Sequence, residues 1–210
     1  KAKKMGAIDK VGNMMEVAAQ ANIIFIATPV MTTKDVMETI GPRLSEGIVV
    51  TDIGSTKREV LEWANEHIPQ NIDFIGGHPM SGKETRGPDG AEATLFQGRP
   101  YCIMPRLGAS AAGVKVITEI VTAIGSKPYF IDVDEHDSFV AAVSHLPFIV
   151  SAAIIGCTSK SPQWGDISAL ASGGFRDVSR LASGDWTMHR DICLTNKDRI
   201  IHWVDEFILE

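Results

Sequence analysis

Residues 72–84 read IDFIGGHPMSGKE, and the fold turns on how this stretch is taken. Asp73-Phe74-Ile75 has the character of the end of a short buried strand. Gly76-Gly77 then lets the backbone turn sharply and approach another segment closely, because neither residue carries a Cβ. His78 follows at once, with Pro79 behind it. An open α/β sheet places its ligand chemistry at the carboxyl ends of its strands, so a His in a Gly-rich turn there is a candidate acid–base group. The alternative is a His that caps a turn and does no chemistry.

Working outward, residues 22–28 (NIIFIAT) and 48–53 (IVVTDI) are apolar, β-branched runs that read as buried parallel strands. Between them Val36, Met37, Ile40 and Leu44 recur at helical spacing, with Gly41-Pro42 near the helix end. Gly54-Ser55 leads into a helix in which Thr56-x-x-Glu59 matches a capping box and Val60, Leu61, Ala64 and Ile68 form the apolar face. Residues 74–76, 100–104 and 128–133 read as three more strands. Val114, Ile117, Val121 and Ile124 stripe a helix closed by Gly125. Strands alternating with helices give an α/β fold with a Rossmann-like, doubly wound, mostly parallel sheet. After Asp134 no further strand appears. Residues 134–157, 166–181 and 186–210 read as helices, with Pro147 expected to kink the first or open its turn. The expected domains are therefore 1–133 and 134–210. The opening KAKKMGAIDK reads as the tail of a helix and a turn, and residues 198–210 are still amphipathic helix. Both domains are accordingly read as incomplete at their outer ends, as in a piece of a longer protein.

The 210 residues carry a net charge of -6 and no Lys/Arg stripe to neutralise phosphates, which argues against nucleic acid as a partner. The longest apolar run, near residues 139–157, is interrupted by Ser144, His145 and Pro147 and is not read as a membrane span. Cys102, Cys157 and Cys193 form no C-x-x-C pair, which fits free thiols in a cytoplasmic protein. The six His show no ligand spacing, so no metal site is expected.

Three groups of residues remain as candidates for chemistry. Thr28-Pro29-Val30 and Asp52-Ile53-Gly54-Ser55-Thr56 sit where strands give way to helices, and helix N-termini there suit a dinucleotide or another anion. Plain helix capping is the alternative for Ser55 and Thr56. Ser144-His145 lies inside a long apolar helix, where His145 reads equally as a hydrogen-bonded core residue. Gly173-Gly174 precedes Arg176, Asp177 and Arg180, and two Arg four apart could fork a carboxylate or simply line an ion-paired surface helix. The Gly-x-Gly-x-x-Gly fingerprint of dinucleotide folds is absent from the sequence.

Taken in order, ATPV at 27–30, DIGSTK at 52–57, GGHPMSGKE at 76–84, VSHLP at 143–147 and GGFRDVSRLA at 173–182 resemble the prephenate (cyclohexadienyl) dehydrogenase family of tyrosine biosynthesis. The resemblance spans nearly the whole chain. It implies a dinucleotide-binding domain followed by an all-helical domain that makes a homodimer. It also implies that the family's first strand, Gly-rich loop and second strand lie before Lys1. By similarity, NAD or NADP is the cofactor, and prephenate or its amino analogue arogenate is the substrate. His78 would take the proton of the ring C4 hydroxyl, with Ser55 between His78, that hydroxyl and the nicotinamide. The resemblance makes Arg180 a ligand of a substrate carboxylate. Ser144, His145, Lys83, Glu84, Gly173, Arg176 and Asp177 would stand around the pocket, and Thr28, Pro29, Val30, Asp52, Gly54, Thr56 and Pro79 near the cofactor.

Two departures from the family pattern stand out. Phe148 occupies the place after SHLP where relatives often carry a second His, which removes a polar group from the expected substrate side and bears on the choice between prephenate and arogenate. Met188-His189-Arg190-Asp191 replaces a pattern with Trp before Arg-Asp, with Trp186 nearby. Two other functions fit parts of the chain. One is a related two-domain NAD(P)-dependent β-hydroxy acid dehydrogenase, although such enzymes rely on a helical-domain Lys and Lys160 has no comparable setting. The other is a non-catalytic dinucleotide-binding regulator, against which the presence of His78, Ser55 and Arg180 together counts. The apolar content of the helical part, from Val140, Val143, Ile149, Val150, Ile154 and Ile155 to Ile192, Ile200, Ile201, Trp203, Phe207 and Ile208, exceeds what one small helical layer covers and points to a partner subunit.

Overall fold

Five strands form one sheet in the order β1-β2-β3-β4-β5: β1 Ile23–Ile26, β2 Val49–Asp52, β3 Asp73–Pro79, β4 Pro100–Pro105 and β5 Lys127–Phe130. The computed structural model describes residues 1–82 and 87–210. The helices of this half are α1 Met14–Ala18, α2 Val30–Ile40, α3 Arg58–His67 and α4 Ala111–Ala123. β1, β2 and β3 are parallel to one another and β4 is parallel to β5, with α2, α3 and α4 as the crossovers. β3 and β4 pair antiparallel. Alternate residues of the parallel strands feed the two faces of the sheet. Val50 and Phe74 join Met37, Ile40, Val60, Trp63, Ala64 and Ile68 beneath α2 and α3. Val49, Ile75 and Ile103 join Ile117 and Val121 of α4. Helices thus cover both faces, as the alternating sequence pattern requires.

Two local devices differ from expectation. β3 does not end at Gly76: it runs on to Pro79, with Gly77 opposite Ile103 and His78 opposite Cys102. The glycines therefore serve close approach and make no turn. A Cβ on Gly77 would lie 2.5 Å from the Asp52 carbonyl oxygen and 2.9 Å from Tyr101 Oη. The helix at Thr56-x-x-Glu59 also starts later than the capping-box pattern places it, at Arg58. The N-cap of α3 is Lys57, with no side-chain capping bond, because Thr56 is turned into the interior. Gly125 does close α4, at φ +81°, the left-handed region that favours glycine. Arg106, almost wholly buried, donates to the carbonyls of Ala64, Ile68, Pro69 and Ile72, and so supplies partners for the carboxyl end of α3.

The chain divides into two compact units, Lys1–His136 and Asp137–Glu210, three residues beyond the expected division at 133. Asp134 lies inside α5 (Val133–Val140), and Val133 opens that helix and is not part of a strand. α5 continues through a π turn at Ala141–His145 into α6 (Leu146–Thr158). Pro147 sits in the first turn of α6 and has no N–H to donate, and the widened turn just before it absorbs that loss. The second unit continues with α7 (Trp164–Ala169), α8 (Gly173–Ser179), α9 (Trp186–Thr195) and α10 (Lys197–Leu209). The expected helices over 166–181 and 186–210 are thus each broken, between Ala169 and Gly173 and at Asn196. Its core is small: Ala141, Phe148, Ile192 and Ile200, flanked by Ile149, Leu181, Trp203 and Val204. Val143, Leu170, Phe207, Ile208 and Leu209 are all more than half exposed. The helical run Val133–Thr158 is, by length and composition alone, long and apolar enough to cross a bilayer.

Candidate active site

The carboxyl ends of β1, β2 and β3 lie on one edge of the sheet because the three strands are parallel. That edge gathers Thr28 and Pro29 after β1, Gly54 to Lys57 after β2, and His78 and Pro79 at the end of β3. α2 begins there at Val30, with Pro29 at its N-cap, so the positive end of the helix dipole lies at this edge. Thr28 and Ser55 are half-buried, Pro29 is exposed and Val30 is buried in the core. Thr28 Oγ1 shares a hydrogen bond with Thr33 Oγ1 at 3.2 Å.

Asp52 holds the edge together from beneath. Its side chain is fully buried. One carboxylate oxygen accepts from the Gly54 N–H at 2.8 Å and from Lys57 Nζ at 2.5 Å. The other accepts from the Gly77 N–H at 3.2 Å, across 25 residues. One carboxylate therefore pins the residue before Ser55 and the residue before His78. The Asp52 carboxylate points inward and ties the β2 loop to β3. Lys57 is equally buried and also donates to the Thr56 carbonyl at 3.1 Å. Such a pair tolerates full burial only because each charge is compensated and hydrogen-bonded.

His78 is half-buried, and its Nδ1 lies 2.9 Å from Nε2 of His136. The two rings meet edge to face at 74°, with centroids 5.1 Å apart. His136 is 1% exposed and stands in the first turn of α5, its N–H donating to the Asp132 carbonyl at 2.9 Å. Arg58 of α3 pairs with Asp134 of the same turn. Opposite Pro79, Tyr101 Oη is buried without a hydrogen-bond partner among the described residues. Burial and, after it, the Asp52 carboxylate push its pKa well above the ordinary phenol value, so it remains a neutral hydroxyl. Among the described residues, no group of three His, Cys, Asp or Glu could hold a metal ion.

Sequence reasoning passed over Lys57, Tyr101 and His136. Lys57 stands inside the quoted DIGSTK but carries no sign of its burial. His136 is 58 residues from its partner, beyond the reach of any spacing rule.

In the helical unit, His145 is 1% exposed and its Nδ1 lies 3.3 Å from Asn196 Nδ2, which also donates to the Asp137 carbonyl at 2.7 Å. This is the hydrogen-bonded core placement. Phe148 is 7% exposed and stacks flat on His189, centroids 4.1 Å apart, so within its own unit the ring is core packing. Ser144, Gly173, Arg176, Asp177 and Arg180 are exposed. Arg176 and Arg180 do not share one regular helix face, because α8 ends at Ser179 and Arg180 opens a tighter 3-10 turn. Lys83 and Glu84 lie outside the described residues.

Two family descriptions match this chain: the nucleotide-binding domain of prephenate dehydrogenase over residues 1–130, and the dimerization domain of prephenate dehydrogenase over residues 132–210. The prephenate dehydrogenase of Bacillus subtilis is 33% identical across 99% of this chain, which spans only 57% of that protein. The crystal structure of Synechocystis arogenate dehydrogenase is 30% identical, with a TM-score of 0.78 over 94% of this chain and 70% of that one. The structure of the Aquifex aeolicus prephenate dehydrogenase in complex with hydroxyphenyl propionate and NAD+ is 26% identical, with a TM-score of 0.90 over 98% of this chain and 72% of that one.

Proposed function

The chain belongs to the prephenate dehydrogenase family, and on that premise we propose that it carries the NAD(P)-dependent oxidative decarboxylation of prephenate or arogenate to 4-hydroxyphenylpyruvate or tyrosine. The observation that carries this reading is the placement of His78. It stands at the carboxyl edge of three parallel strands, beside a loop that offers Ser55, with its Nδ1 already engaged. A dinucleotide at the same edge is supported by the N-terminus of α2 at Val30, the half-buried hydroxyls of Thr28 and Ser55, and the Pro79 backbone. When bound, that group accepts a hydride.

The chain's own residues then supply acid–base and orienting work. His78 takes the proton of the ring hydroxyl through its other nitrogen as the carbinol carbon becomes a carbonyl. Loss of the ring carboxylate as CO2 returns electrons to the ring, the new oxygen recovers a proton, and the product is aromatic. Aromatisation and the escape of CO2 make the step effectively irreversible. Ser55, fixed through Gly54 to Asp52, holds the hydroxyl for transfer. Arg180 and Arg176 are the cations suited to a substrate carboxylate. The exposed Val143, Phe207, Ile208 and Leu209 support a homodimer through the helical unit. Three free cysteines support a cytoplasmic setting.

The test is a coupled measurement of NADH or NADPH formation and CO2 release with each substrate, on wild type and His78→Asn. Turnover is expected to fall by about 10²–10⁴-fold in the variant, with cofactor affinity nearly unchanged. Wild type that turns over neither substrate, or a variant with near-normal turnover, overturns the reading.

A further inference from the structure

We propose that His136 is a positioning residue that fixes the tautomer and ring orientation of His78; this rests on the proposed role of His78 as proton acceptor. An imidazole that accepts at one nitrogen must carry its proton on the other. The Nδ1 of His78 is 2.9 Å from Nε2 of His136, so Nε2 of His78 is the nitrogen that must take the substrate proton. That requires Nδ1–H on His78, donated to a lone pair on His136 Nε2. His136 is then neutral, with its own proton on Nδ1. The reverse arrangement, with His136 donating, places the His78 proton on Nε2 and blocks acceptance there.

His136 is built to hold this position. It is 1% exposed, and the turn that carries it is anchored twice. The Asp132 carboxylate accepts the Asp134 N–H at 2.8 Å, and Asp134 pairs with Arg58 at the start of α3. The edge-to-face packing of the rings leaves His78 little freedom to rotate about χ2. When His78 becomes an imidazolium, its Nδ1–H keeps the same acceptor, so the charge that develops in proton transfer is stabilised without rearrangement.

Two measurements decide the matter. Nitrogen-15 NMR of the imidazole rings in the whole chain near pH 8, with resonances assigned through His78→Asn and His136→Gln, reads the tautomer directly and needs no substrate. We expect His78 to carry its proton on Nδ1, and an Nε2–H tautomer overturns the proposal. Steady-state kinetics then compare three variants. His136→Leu removes the acceptor and is expected to lower kcat by about 10–100-fold, with KM for the dinucleotide within about two-fold, as for other residues that orient a functional His. His136→Gln can place an amide oxygen near the same point and is expected to recover most of that loss. His136→Glu sets a carboxylate against the His78 N–H, which favours the imidazolium and moves the acid limb of kcat/KM to higher pH. The neighbouring Asp132, Asp134, Arg58 and the Asp52–Lys57 pair are unchanged in all three. Equal loss in Leu and Gln with an unmoved acid limb means a packing role and overturns the proposal. Wild type without turnover but with the Nδ1–H tautomer would strike at the proposed function and leave the His136–His78 coupling standing.

Discussion

Replacing Lys57 with Met should damage this protein more than any surface-charge change. Lys57 and Asp52 are both fully buried, and Nζ sits 2.5 Å from the carboxylate. Met fills much of the space of the Lys stem but removes the cation. Asp52 is left with the N–H groups of Gly54 and Gly77 and no compensating charge. Breaking a buried pair from one side costs about 3–5 kcal/mol. For a unit of 136 residues, an unfolding entropy of about 2.1 cal/mol/K per residue gives roughly 0.29 kcal/mol/K, so Tm should drop by about 10–17 °C. Thermal unfolding followed by circular dichroism reads this directly. Adding Asp52→Asn to Lys57→Met should recover at least about 1 kcal/mol, because the stranded charge goes while one side-chain oxygen still accepts from the backbone. Because the carboxylate also sets the positions of Ser55 and His78, kcat should fall in the single variant even well below its Tm. A drop of less than about 3 °C in Lys57→Met, roughly 1 kcal/mol, would refute the reasoning and mean that water reaches the pair.

Gly77→Ala sets a Cβ against the Asp52 carbonyl at 2.5 Å, so β3 must shift away from β2; we expect a loss of about 1–3 kcal/mol in urea unfolding and a marked fall in kcat, and near-wild-type behaviour in both would show that the strands yield freely. Tyr101→Phe removes a buried hydroxyl that has no partner among the described residues, so the variant should be neutral or slightly more stable, and a loss above about 1 kcal/mol would reveal a hydrogen bond. Burial against Phe148 holds the His189 pKa below the ordinary imidazole value, with Asp185 opposing the shift. The unfolded chain therefore takes up this proton first as pH falls. The contribution of His189 is complete above the unfolded value near ~6.5 and is lost as pH drops from there through the folded value. His189→Phe should flatten stability against pH between about 7 and 5, and an unchanged slope would place the titration elsewhere.

The period of apolar residues was enough to identify the sheet and its crossovers. Asn22 to Thr28 and Ile48 to Ile53 read as strands, and Val114, Ile117 and Val121 as one face of a helix, but only β2 is buried throughout, whereas Phe25 of β1 is exposed. Pro147 announced the widened turn before α6 because a missing N–H is a property of the residue itself. His78 was legible as a candidate for a similar reason: a His after two glycines and before a proline is unusual wherever it falls. Period and residue type say nothing about which strand lies opposite which. That Gly76-Gly77 continues a strand followed only from the antiparallel pairing with β4, whose partner residues lie some 25 positions further along the chain.

Fold class, the helical character of the second unit and the family were all legible before any coordinates, since each rests on local pattern or on motifs in order. Tertiary structure alone decided what the polar residues do. Asp52 faces inward to Lys57 and Gly77, Thr56 is buried, Phe148 stacks on His189, and His136 reaches His78. A charged or aromatic side chain has the same propensity whether it meets solvent, a ligand or a buried partner. The difference is made by the groups that distant segments bring within about 3 Å, where desolvation and hydrogen bonding fix its protonation and orientation.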